Sequence, residues 1–249
     1  MKHTDIFNPP VPEAQGKSLV WKNLHGASIG LALSEAIRQE KRPMLIIASD
    51  SLAVSYLTEE LSFFGGNSEK ILSFPDWETL PYDHFSPHQD IISDRLAALS
   101  QIPGLQAGAI ITTVQTLMHR LPPRTYLDGH SFLLKTGDML NPDILRTRLT
   151  TAGYHAVSQV REHGEFAIRG SIIDLYPMGS KTPYRIDLFD NEVDTIRTFS
   201  PDTQRTLEKM QEIRLLPAKE FPLTDEAIEF FRQGWRSQFT GNPLKSAIY

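Results

Sequence analysis

Cysteine is absent from the 249 residues, which excludes disulfides, thiolate nucleophiles and Cys-ligated zinc or iron and suits a reducing cytoplasm. No apolar run reaches the roughly 18 residues a membrane span needs. The opening MKHTDIFNPPVPEAQGK also lacks the apolar core of a signal peptide. Basic charge is scarce: 25 Lys plus Arg stand against 30 Asp plus Glu, a formal net charge of -5. No global field therefore draws in a polyanion, and strong non-specific nucleic-acid binding is disfavoured. A cytoplasmic protein is expected.

What is present suffices for two modest cores, with 40% hydrophobic and 22% charged residues. Pro9, Pro10 and Pro12 make the first dozen residues an arm. Residues 28–38 carry Ile29, Leu31, Leu33, Ala36 and Ile37 at helical spacing, and MLIIA (44–48) is continuously apolar, the pattern of a strand buried on both faces. Residues 52–64 return to helical spacing and Gly65-Gly66-Asn67 closes them. ILSF (71–74), a helix over 91–102 and AIITT (109–113) follow, up to the breaker Pro122-Pro123. Alternating buried strands and helices predict an α/β domain with a parallel sheet and helices on both faces, over residues 1–126.

After Pro123 the pattern changes. Residues 127–135 read as a strand, and NPDILRTRLTTAGY opens a helix with Asn141 as cap and Pro142 at its first position, stopping near Gly153. VSQV, EFAIRGSIIDLYP and PYRIDLFDNEVDTIRTFS alternate like antiparallel strands. A smaller α+β domain over 127–213 is predicted, interrupting the first, with 214–249 returning to it. With a stop soon after the final helical pattern, a piece of a longer chain is expected.

Catalytic patterns are missing. A phosphate loop needs G-x-x-x-x-G-K-[ST], whereas in LHGASIGLALSEAI (24–37) Gly26 and Gly30 stand one residue too close and are followed by Leu31 and Ala32. The dinucleotide fingerprint G-x-G-x-x-G is absent too, and Ser28, Ser34 and Ser49 lack a G-x-S-x-G elbow. The favoured reading of Gly26 and Gly30 is tight packing at a turn, with no cofactor. Asp83, His84, His88 and Asp90 cluster in a stretch that Pro81 and Pro87 mark as irregular loop, a pattern that fits surface hydrogen bonding better than metal ligation. His163 and Glu165, an acid/base candidate pair, fit a structural strand entry better.

FPDWETLPYDHFSPHQDIISDRLAALSQI (74–102), with VREHGEFAIRGSIIDLYPMGSKTPYRIDLFDNEVDTIRTFSPDTQRT (160–206), closely resembles the N-terminal part of the bacterial transcription-repair coupling factors, the Mfd family. It resembles more distantly the excinuclease subunit UvrB. The resemblance implies a helicase-like domain with a degenerate phosphate loop, interrupted by a domain that docks UvrA. It also implies a motor beyond residue 249 that binds ATP, Mg and double-stranded DNA and contacts RNA polymerase. UvrB's DNA-gripping hairpin is missing here, since the segments that flank it abut at Asp90-Ile91. That disfavours direct DNA binding, just as the missing Lys disfavours a nucleotide-dependent ATPase.

If PYRIDLF and EVDTIRTF pair through a turn at Asp190-Asn191, then Tyr184, Ile186 and Leu188 share one face and Arg185, Asp187 and Phe189 the other. By periodicity alone two readings stand. Phe189 and its arginines are interface anchors, or Phe189 closes the hairpin end and the arginines pair with local carboxylates. Arg169 is expected to join the patch, with Gly170 leaving room for close approach. The family resemblance implies UvrA-docking roles at Arg169, Arg185 and Phe189, with Arg161, Asp187, Glu192 and Arg197 as rim. Arg185→Ala or Phe189→Ala is expected to weaken UvrA binding without lowering the melting temperature.

Overall fold

The apolar spacing of the first half resolves into helix α1 (Ser28–Gln39), strand β1 (Pro43–Ala48), α2 (Ser51–Gly65), β2 (Ile71–Ser73), α3 (Gln89–Gln101), β3 (Gly108–Thr113) and the short α4 (Val114–Leu117). A computed structural model describes residues 5–12, 16–66, 69–79, 84–222 and 224–238. Asn67 and Asp83 lie outside the described residues. Two compact units form, one of Met1–Asp76 with Ala98–Arg120, the other of Trp77–Ala97 with Leu121–Tyr249.

In the first unit the three strands are parallel, in the order β1-β3-β2. Asp50 caps α2 by accepting a hydrogen bond from the Ala53 amide at 2.8 Å, and this bond, with help from the Ser49 hydroxyl, holds its carboxyl below the usual range. Gly66, at φ 60, ends the helix. Ile37 of α1 and Val54 and Leu61 of α2 bury against Ile46, Ala48, Ala109 and Ile111 of the sheet, each Val, Leu or Ile side chain contributing about 1.5–3 kcal/mol. The expected two-faced burial of β1 is corrected among the described residues. Leu45 and Ile47 are 53% and 55% exposed while Ile46 and Ala48 are buried, because side chains alternate between the two faces and α1 and α2 cover the face that carries Ile46 and Ala48.

The second unit holds α5 (Arg124–Gly129), β4 (Phe132–Lys135), α6 (Pro142–Thr151), β5 (His155–Ala156), β6 (Glu165–Arg169), β7 (Ile172–Leu175), β8 (Tyr184–Phe189), β9 (Glu192–Phe199), β10 (Thr206–Met210), β11 (Glu212–Leu215) and α7 (Asp225–Gln238). The six-stranded sheet runs β10-β9-β8-β7-β6-β5, antiparallel except for β5 with β6, and β11 pairs with β4 separately. The chain is thus mixed α/β, with one parallel and one mainly antiparallel sheet.

α6 begins as predicted: Asn141 Oδ1 accepts from the amides of Asp143 and Ile144 at 2.9 and 3.2 Å, and Gly153 takes φ 90 just past the helix. The strand predicted over 127–135 is shorter, since 124–129 is helical. Pro123 sets the entry to α5 with φ -59, Leu127 is buried in it, and Arg124 and Asp128 pair one turn apart at 3.3 Å. VSQV is not a strand, although Val160 is fully buried.

A buried ion pair ties α3 to the segment after β11. Arg95, 0% exposed, bonds both carboxylate oxygens of Glu220 at 2.5 and 3.1 Å, and the Trp77 indole N–H donates to Glu220 Oε1 at 2.9 Å.

Candidate partner-docking surface

The predicted two-residue turn forms at Asp190-Asn191, with Phe189 opposite Glu192 and Asp190 at φ 55. One sheet face is core: Phe166, Ile173, Ile186, Val193 and Ile196 are essentially inaccessible. The other face is graded. Towards its covered end Ala167 and Phe199 pack with Val160 of the preceding loop. Towards the hairpin turn it opens, and Phe189 is 74% exposed.

Charges organise the middle of this face. Asp174 lies opposite Arg185, and Arg185 opposite Arg197, across β7, β8 and β9. Asp174 is wholly buried. Its carboxylate accepts from Arg185 Nε and Nη2 at 2.7 and 2.9 Å and from Arg169 Nη2 at 2.5 Å. Arg185 also donates to the Gln204 carbonyl at 3.2 Å and stacks over the Phe199 ring at 4.9 Å. The Asp174 hydrogen bond raises the Arg185 guanidinium further above its ordinary value, against the effect of burial. Two guanidinium groups thus share one carboxylate, so the cluster keeps an excess of positive charge. The Arg185 side chain is 18% exposed and the Arg169 side chain 53%. Arg169, Arg185, Ile172 and Gln204 line a hollow of about 450 Å³.

The structure therefore brings Arg169, Arg185 and Phe189 onto one face, with different characters. Phe189 is a mostly exposed ring, Arg169 a half-exposed cation paired with Asp174, and Arg185 mainly the lock on that buried acid. Arg169 is separated from β8 by β7. Gly170 does not serve close approach as expected: nothing lies near its missing Cβ, and its φ of 61 makes the β6–β7 turn.

Of the rim residues, Asp187 accepts from Arg197 and, at 2.9 Å, from the Thr195 hydroxyl. Glu192 is exposed beside Phe189. Arg161, exposed in the loop before β6, donates its amide to Glu165 at 2.8 Å. Asp174 escaped prediction, although one acid inside the apolar run SIIDL is a signal for a buried, partnered carboxylate. Met139 and Ile172, also on this surface, gave no periodic signal.

Elsewhere the geometry is packing. Gly26 takes φ 55 before α1, and a Cβ on Gly30 would stand 2.4 Å from Glu60 Oε2, so α1 and α2 approach closely there. The Ser28 hydroxyl is engaged with the His25 amide and carbonyl at 2.7 and 2.8 Å. His163 is not paired with Glu165. Its ring nitrogens lie 2.7 Å from Asp90 Oδ1 and 2.7 Å from the Ser180 carbonyl, while Glu165 accepts from the amides of Arg161 and Glu162. Among the described residues no three His, Asp or Glu side chains gather into a metal-binding set, and no helix is long and apolar enough to cross a membrane.

Residues 132–221, which contain this whole surface, match the family described as the UvrB interaction domain. The transcription-repair-coupling factor of Escherichia coli is 47% identical over 229 residues, 92% of this chain, and that of Haemophilus influenzae is 45% identical over 95% of it. The chain belongs to the transcription-repair-coupling factor family. The factor of Bacillus subtilis, at 30% identity over 84% of the chain, extends the match to a more distant relative. The chain spans about a fifth of the length of these relatives, 20%, 20% and 18% of them respectively. It carries a UvrB interaction domain at residues 132–221.

Proposed function

We propose that this part of the family is a non-catalytic docking module that recruits UvrA, so that nucleotide-excision repair is delivered to a stalled transcription complex. The carrying observation is Phe189, 74% exposed within the UvrB interaction domain, on the same sheet face as the cations held by Asp174. A protruding aromatic ringed by charge is the anatomy of an interface anchor with a specificity-setting rim. Arg169 supplies a half-exposed positive charge, Arg185 fixes the platform, and Arg161, Asp187, Glu192 and Arg197 form the rim.

The first unit is the scaffold, a helicase-like domain whose phosphate loop is degenerate. No Lys or Thr follows Gly30, and Glu60 packs against that glycine, so a nucleotide meets neither the ammonium nor the magnesium-binding hydroxyl that the motif supplies. No cofactor is assigned to this chain. In the full-length factor, ATP, Mg, double-stranded DNA and RNA polymerase belong to other domains, and the setting is cytoplasmic.

The test is calorimetric titration of purified UvrA into this chain and its Phe189→Ala variant. Saturable binding by the wild type and loss in the variant is expected; equal binding by both rejects the site. ATP with magnesium is expected to give no saturable heat, and a micromolar site would return the chain to the nucleotide-dependent enzymes.

A further inference from the structure

The hairpin that carries Phe189 does not end at its own two strands. Residues 137–140 lie along the outer side of β9, pinned by backbone hydrogen bonds. The Gly137 amide donates to the Val193 carbonyl at 2.8 Å, the Val193 amide to the Asp138 carbonyl at 2.9 Å, and the Leu140 amide to the Asn191 carbonyl at 2.6 Å. Met139 forms an antiparallel bridge with Glu192, and Glu192 stands opposite Phe189. Residues opposite one another in antiparallel pairing project to the same face. Phe189, Glu192 and Met139 therefore form one row, with Met139 75% exposed and Phe189 74%. One row back on the same face, Arg169 stands opposite Ile172 and Ile172 opposite Asp187, and Ile172 is 37% exposed.

Resting on the UvrA reading above, we infer that Met139 is a second anchor of the docking surface, which makes an apolar triangle of Met139, Phe189 and Ile172 the contact centre for UvrA. The occupant follows from position and charge. The triangle is continuous with the half-free Arg169 on one side and carries Glu192 within it, so it fits a partner face with apolar side chains flanked by a carboxylate for Arg169 and a cation for Glu192. The three backbone bonds fix Met139 before binding, so little main-chain entropy is lost on contact, while the thioether adapts to the facing surface.

The experiment titrates UvrA into the wild-type chain and into Met139→Ala, Met139→Gln and Phe189→Ala, with thermal unfolding of each. Both Met139 variants are expected to unfold as the wild type does and to bind at least about five-fold more weakly, the loss that marks an anchor residue. Wild-type affinity in both Met139 variants, with Phe189→Ala weakened, overturns the second anchor and leaves the UvrA reading standing. Failure of the wild-type chain itself to bind UvrA overturns both.

Discussion

Arg185 on β8 grips the fully buried carboxylate of Asp174 on β7 through two hydrogen bonds of 2.7 and 2.9 Å. This pair changes what Arg185→Ala measures. Truncation leaves a buried carboxylate with only Arg169, and breaking a buried pair costs about 3–5 kcal/mol. The melting temperature is expected to fall clearly, against the expectation from sequence. Any loss of UvrA binding in that variant then mixes a damaged platform with a lost contact. Unfolding by denaturant checks this, and a wild-type midpoint for Arg185→Ala would show that Asp174 does not depend on it.

Phe189 and Arg169 are the cleaner probes. With the ring 74% exposed and the Arg169 side chain 53% exposed, Phe189→Ala is expected to stay within about 0.5 kcal/mol of wild-type stability. Arg169→Ala is expected to cost slightly more through its bond to Asp174. Both are expected to weaken UvrA by about five-fold or more, with Arg169→Ala alone also flattening the salt dependence, because it removes a charge. Equal salt dependence in wild type and Arg169→Ala would deny this residue an electrostatic role.

How much of this was legible can be followed residue by residue. Asn141 and Pro142 announced α6 because a helix start is decided by local chemistry, and Asp190-Asn191 announced the hairpin for the same reason. The alternation in YRIDLF placed Ile186 inside and Phe189 outside, since a strand with one buried face writes its burial at period two. The facts that were not legible depend on partners distant in sequence. Leu45 and Ile47 are exposed because α1 and α2 pack on the other face of β1, and which face the helices cover is not written in a local apolar run. Arg185 and Arg169 meet at Asp174 only once β7 lies between their strands. Met139 joins Phe189 by backbone pairing, which leaves no side-chain pattern to read.

Tyr126 offers a pH test. Its hydroxyl donates to the Lys219 carbonyl at 3.2 Å, and burial pushes the phenol from 10.0 up to about 12. A group whose folded pKa is raised stabilises the fold fully below its unfolded value, and that stability is lost as pH rises through the folded value. The wild-type chain is therefore expected to lose stability from pH 10 towards 12, and Tyr126→Phe to lose less over that window. Buried Tyr154, also shifted upward, leaves a residual slope in the variant. Parallel curves for wild type and Tyr126→Phe would show that the phenol titrates alike in both states.

The Arg95–Glu220 pair predicts an asymmetry between single and double replacements. Glu220→Ala removes the carboxylate that receives Arg95 at 2.5 and 3.1 Å and the Trp77 indole at 2.9 Å, in a site where Arg95 is 0% exposed. The buried guanidinium keeps its desolvation cost and loses both bonds to the Glu220 carboxylate, so the unfolding free energy is expected to drop, by up to about 3–5 kcal/mol. Replacing both partners together, Arg95→Met with Glu220→Leu, removes that cost at similar volume and is expected to be less destabilising than Glu220→Ala alone, because a buried ion pair returns little net stability over apolar packing. Denaturant unfolding of the three chains decides it. A double variant less stable than the single one would mean that the pair stabilises the second unit outright, with Trp77 stacked 4.7 Å from the guanidinium as part of the same network.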